Sequence, residues 1–158
     1  MNYIISGLPA TGKTTICKNV ALKTNLTYVN DYEILKSIGI SFENNSAILL
    51  KDYSKYILDY LKDKDNLIVD LQHTLSPKQI KGLNVIAFCL EFTEIEPKQL
   101  FRILSKKDNT ITLERAKLFV EKSKQIKEQC EKESISYYDI GTNRDEIINE
   151  IICKIIRK

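Results

Sequence analysis

The sequence predicts an α/β protein built on a parallel sheet, and three observations carry that expectation. Short β-branched or apolar runs alternate along the chain with stretches of helical character. One run, "NVIAFCLEF" from Asn84 to Phe92, is apolar with little alternation, as expected of a central strand covered on both faces. The segment "GLPATGKT", Gly7 to Thr14, stands between a strand-like and a helix-like stretch. Parallel neighbours need crossover connections, so strand and helix must take turns.

The elements follow in order. Strands are expected at 3–6, 26–30, 66–71, 84–92 and 135–140, each a short run rich in Ile, Val, Leu, Tyr or Phe. Helices are expected at 13–23, 32–38, 47–62, 97–106, 113–132 and 144–156. The three prolines fall in loops or at helix starts, where a missing N–H costs nothing. No repeat, low-complexity tract or Pro/Gly-rich linker interrupts the order, and 158 residues at 43% hydrophobic content suit one domain spanning 1–158.

Composition narrows the function. With 24 basic against 21 acidic residues, spread evenly, the chain has no patch that points to nucleic acid. Cys17, Cys89, Cys130 and Cys153 form no CxxC pair and His73 is the sole histidine, which argues against zinc and disulfide frameworks. Cys17, Cys89 and Cys153 sit among apolar neighbours and are expected in the core. No run is long enough for a membrane span and no signal-like leader is recognisable, so a soluble cytoplasmic protein with no membrane partner is expected.

"GLPATGKT" fits GxxxxGK[ST]. Its residues Gly7, Leu8, Pro9, Ala10, Thr11 and Gly12 form a loop whose N–H groups can cradle phosphate. Lys13 reaches the β- and γ-phosphates, the Thr14 hydroxyl is placed for Mg²⁺, and Thr15 can add a hydroxyl near the α-phosphate. The alternative, a turn that merely joins strand to helix, leaves Lys13 and Thr14 unexplained. The loop alone leaves the nucleotide as ATP or GTP, with Mg²⁺ as its metal. GTPase switches carry DxxG and NKxD motifs where this chain has "DLQH" and "TNRD", and AAA-type ATPases need a longer core and a helical lid domain. Small kinases remain.

Two carboxylates close strands. In "NLIVDLQ", Asp70 stands where an apolar run meets a loop, the place for an acid that orients Mg²⁺; a turn-capping role is the local alternative. In "TYVNDYEILK", Asp31 follows the second strand. There it can hold an acceptor hydroxyl in line, or simply cap the next helix, with Glu33 in the first turn. Only Arg102, Arg115, Arg144 and Arg157 among the cations are arginines, the better phosphate clamps, although Arg102 and Arg115 could equally be surface residues and Arg157, near the C-terminus, is read as one.

Together these residues resemble the small P-loop kinases, the group that includes adenylate and shikimate kinases. The resemblance implies a three-layer domain with a five-stranded parallel sheet in the order 2-3-1-4-5, moving the γ-phosphoryl group of ATP to a small-molecule acceptor. In that group an Arg-x-x-x-Arg element introduces a lid; "RILSK" is similar, with Arg102 in the first place and Lys106 in the second. The lid would be short, around 106–113. "RAKLFVEKS" places Arg115, Phe119 and Ser123 at the intervals of the element after the lid. The resemblance thus implies catalytic roles for Lys13, Asp31, Arg102, Lys106 and Arg115. It sets Gly141 to Arg144, including Asn143, beside the nucleotide base, where Arg102 also stacks. Acceptor residues fall at Lys36 and at His73 or Thr74, but neither the adenylate-kinase arginines nor the Asp-x-Asp of shikimate-type kinases is intact. That leaves open a kinase of an antibiotic or sugar nucleotide, and a nucleotide-dependent regulatory protein without a small acceptor.

Overall fold

The computed structural model describes residues 1–40, 46–141 and 143–158. Five strands, β1 (Asn2–Gly7), β2 (Thr27–Asn30), β3 (Leu67–Leu71), β4 (Val85–Glu91) and β5 (Ser136–Asp139), form one parallel sheet in the order β2-β3-β1-β4-β5. The helices are α1 (Lys13–Lys23), α2 (Asp31–Ser37), α3 (Ser46–Leu61), α4 (Pro77–Ile80), α5 (Pro97–Ser105), α6 (Leu113–Glu133) and α7 (Arg144–Ile156). No described helix is long and apolar enough to cross a membrane.

Strand alternation separates two cores. Ile5, Ile68, Phe88 and Leu90 pack with Ile16 and Val20 of α1 and Ile148, Ile151 and Ile155 of α7. Their sequence neighbours Ile4 and Val69 turn the other way, against Leu35 of α2 and Tyr53, Ile57 and Leu61 of α3. A period of two along each strand therefore yields the three layers.

The sequence expectation omits α4. It is a single turn, too short to show a period, and is held by a capping box in which Ser76 and Gln79 exchange side-chain and backbone bonds. A second correction concerns Cys153, which is exposed on α7, whereas Cys17 and Cys89 are buried as expected.

Candidate functional site

Register brings the site together. Asn30 and Ile5 both pair with Asp70, Gly7 with Leu90, and Glu91 with Asp139, so the carboxyl ends of all five strands meet along one edge. That edge of an open α/β sheet is where ligands bind. The loop after β1 occupies its centre. Gly7 has φ of 134°, and a Cβ there would lie 1.7 Å from the Leu90 carbonyl oxygen; no side chain fits. Ala10 and Gly12 are also left-handed, with φ of 62° and 98°. Such reversals point successive N–H groups into a concavity suited to an anion. Thr11 Oγ1 donates to the Leu8 carbonyl at 2.8 Å and pins the loop.

Lys13 is buried and donates from Nζ to the same Leu8 carbonyl at 2.7 Å. Burial lowers its pKa, while Asp70, Glu91 and Asp31 pull the other way. Thr14 Oγ1 donates to Asp70 Oδ2 at 2.6 Å. Desolvation raises the Asp70 pKa, and the Thr14 hydrogen bond and Lys13 oppose the rise. A hydroxyl and a carboxylate held in contact beside an anion nest are hard oxygen donors, a set that fits Mg²⁺ on a nucleotide. Thr15 is exposed one position further along α1.

Asp31 is not the helix cap that its local sequence allows. Asn30 takes that role, accepting from the Glu33 N–H at 2.8 Å while Glu33 reaches back to the Asn30 N–H. Asp31 instead lies 3% exposed, and Oδ2 accepts from the Tyr53 hydroxyl at 2.7 Å and the Gln72 N–H at 2.9 Å. Both bonds go to one oxygen and fix the carboxylate between α3 and the loop after β3. Attraction from Lys13 links it electrostatically to the phosphate loop.

His73 is half-buried, edge-on to the Tyr53 ring at 4.9 Å between centroids. Its pKa is lowered by burial and by Lys122, with Asp31 opposing. Tyr53, Lys122 and Glu91 therefore belong to the cluster, and sequence reasoning missed all three. Glu91 had a visible signal, a charge closing the apolar run of β4; Tyr53 and Lys122 had none, since their partners lie far away in sequence.

The remaining expected residues lie apart from this cluster. A cavity of about 330 Å³ beside the loop is lined by Ala10, Phe92, Ile103, Lys106, Lys107, Ile140, Gly141 and Arg144. Arg144 also stands against the loop, its Nη2 3.6 Å from where a Gly12 Cβ would be. Asn143 precedes α7 without a side-chain capping bond, and Thr142, inside the expected base-side segment, lies outside the described residues. Arg102 is exposed on the last turn of α5 and does not line the cavity. Arg115 is exposed at the start of α6 over the Phe119 ring, 5.8 Å from its centroid. Lys36 is exposed on α2. A larger open groove of about 850 Å³ between the 93–97 turn and α6 does not touch the loop; its alternating lysines and glutamates form a solvated helix face.

No family model matches the chain, and no curated protein matches its sequence. Solved structures do match its fold. A shikimate kinase from Bacteroides thetaiotaomicron superposes with a TM-score of 0.69 at 13% identity, covering 99% of this chain and 96% of its own. YorR from Bacillus subtilis, in complex with phosphorylated GDP, gives 0.62 at 18% identity over 98% and 95%. A gluconokinase from Sinorhizobium meliloti gives 0.57 at 11% over 99% and 91%. The fold is that of the small P-loop kinases. These neighbours are not alike in what they bind or act on, so the shared fold names no substrate for this chain.

Proposed function

We propose that this chain is a small-molecule kinase that moves the γ-phosphoryl group of Mg·ATP to a hydroxyl of a small acceptor. The carrying observation is Asp31: a buried carboxylate at the end of β2, relieved of helix capping by Asn30 and electrostatically coupled to Lys13. It orients the acceptor hydroxyl and accepts its proton as the new P–O bond forms and the bond to the leaving oxygen breaks. Lys13 stabilises the charge that develops on the transferred group and the leaving oxygen. Thr14 and Asp70 would hold Mg²⁺, which would further neutralise the phosphates when bound.

The 106–112 connection between α5 and α6 is the lid of a single kinase domain, and Arg102, Lys106 and Arg115 are the cations that a bound triphosphate draws inward. Gly141, Asn143 and Arg144 flank the base. Among the described residues, the cavity beside the loop is lined by the cations Lys106, Lys107 and Arg144 and by no carboxylate that could read the guanine N1 and N2 hydrogens, which favours ATP over GTP. On the acceptor side Lys122 is the cation, beside a His73 imidazole whose protonation burial and Lys122 disfavour, a pairing suited to an acceptor that carries a negative group. Lys36, exposed on α2, is the weaker acceptor-side candidate.

The test is a screen of hydroxylated acceptors that follows ADP release with wild type, Asp31→Asn and Asp70→Asn. With the true acceptor, Asp31→Asn is expected to lose about 10²–10³-fold in transfer while background hydrolysis holds. Asp70→Asn lowers both. An Asp31→Asn protein that transfers at the wild-type rate overturns the reading, as does a screen in which no acceptor raises ADP release.

A further inference from the structure

Glu91 ends β4 with a carboxylate that is 2% exposed. Oε2 accepts from the Ser123 hydroxyl of α6 at 2.8 Å, and the Cys89 thiol approaches Oε1 at 4.0 Å. The Ser123 oxygen in turn accepts from the Phe92 N–H at 3.3 Å. The end of the sheet and helix α6 are thus clasped through one carboxylate and one hydroxyl. The clasp continues from Cys89 to Thr74, 3.2 Å away, and from Thr74 to Ser6 at 3.1 Å, immediately before the phosphate loop. Phosphate loop, acceptor-side loop and α6 are therefore joined through polar groups in a buried setting, where an ionised carboxylate is costly unless cations support it.

The groups that face Glu91 are Lys13 from α1, Lys122 and Cys130 from α6, Cys89 from its own strand and Tyr137 from β5. The two lysines favour its charged form by attraction, as the Ser123 hydrogen bond does by donation. Burial nonetheless pushes its pKa up to about 7, against the Ser123 hydrogen bond, Lys13 and Lys122. Lys13 is also the residue that a nucleotide engages. In the structure it rests on the Leu8 carbonyl with its charge available to Glu91; a polyphosphate in the loop redirects that charge and adds negative charge of its own.

We propose that Glu91 is a positioning residue that clasps α6 to β4 through Ser123 and takes up a proton when nucleotide binds, coupling occupation of the phosphate loop to the helix that carries Arg115 and Lys122. This rests on nucleotide binding at the loop, though not on the identity of any acceptor. Ionised, Glu91 accepts both the Ser123 and the Cys89 hydrogen. Protonated, it becomes a donor as well, and the clasp has to rearrange.

The experiment is calorimetric titration with Mg·ADP at a series of pH values in buffers of different ionisation enthalpy, which counts protons exchanged. A tenfold rise in proton affinity takes a half-protonated group to about nine-tenths, so wild type should take up about 0.4 proton per nucleotide near pH 7. Glu91→Gln keeps the shape and an acceptor for Ser123, and should bind Mg·ADP with that uptake abolished. Ser123→Ala removes a bond that favours the charged form, so the uptake maximum should move to higher pH, a shift that a purely structural role would not produce. Binding with equal uptake in wild type and Glu91→Gln overturns the inference alone. Absence of any binding heat overturns it together with the kinase reading.

Discussion

On the floor of the cleft, Lys13, Asp31, Asp70 and Glu91 are 2 to 7% exposed, and each is tied by a hydrogen bond to a backbone or side-chain group of the framework. On the rim, Arg102, Lys106 and Arg115 stand in solvent on α5, α6 and the turn between them. The difference is one of preorganisation. A buried charge persists only where the fold supplies partners, so its position is set before any ligand arrives. A solvated arginine or lysine keeps its rotamer freedom until an anion organises it. On the proposed reading, the floor sets the chemistry and the rim responds to occupancy.

Removing charge from the floor should therefore have the largest effect. Lys13→Ala is expected to lower ATP turnover by about 10²–10³-fold, since one fixed donor aimed at developing charge contributes on that order. The fold should survive, because the loop keeps the Thr11 to Leu8 bond and its glycines. Turnover and circular dichroism of the variant check both halves; near-normal turnover would remove the phosphate-loop assignment.

What was legible in the sequence divides along the same line. Gly7 to Thr14 could be read directly because the motif is local: strand, turn and helix follow one another within a dozen residues, and each glycine has its own backbone reason. Strands were legible from β-branched runs, and their ends agree with the structure within one or two residues. Sheet order is a tertiary property and came from resemblance. Asp31 was ambiguous because an acid after a strand can cap the next helix or face a ligand, and only the observed Asn30–Glu33 box frees it from capping. The Asp31–Tyr53 and Glu91–Ser123 bonds span 22 and 32 residues, and no periodicity announces a contact at such separations. The resemblance did place Ser123 by spacing, but not the carboxylate it meets.

A smaller effect tests whether the floor is rigid by construction. Tyr53→Phe deletes the hydroxyl that donates to Asp31 while leaving the ring against His73 and the α3 core. Hydrogen bonds to charged groups contribute about 1.5–3 kcal/mol, and the Gln72 N–H still holds Asp31 Oδ2. Denaturant unfolding should show a loss of about 2 kcal/mol with an unchanged m-value. Loss below about 0.5 kcal/mol would mean that water replaces the hydroxyl and that this part of the floor is as adaptable as the rim.

The smallest expected effect is at Arg102. In the structure it is exposed, lies outside the cavity beside the loop, and belongs to a helix whose buried contacts are made by Leu100 and Leu104. Arg102→Ala should therefore change stability by less than about 0.5 kcal/mol, as for other surface substitutions. Its effect on Mg·ADP affinity should be equally small, about threefold or less, because a diphosphate leaves the γ-position empty and gives the rim little to close upon. The same substitution measured with a non-hydrolysable ATP analogue should cost more, about tenfold, if the arginine swings in toward the terminal phosphate, and Lys106→Ala should follow the same pattern. Arg144→Ala provides the contrast, since its guanidinium already stands beside Gly12 and in the cavity. It should weaken ADP and the ATP analogue by similar factors. Equal losses for Arg102→Ala with both nucleotides would place Arg102 at the base or the shared phosphates. That outcome would turn one rim cation into part of a preformed site and erase the distinction between rim and floor at that position.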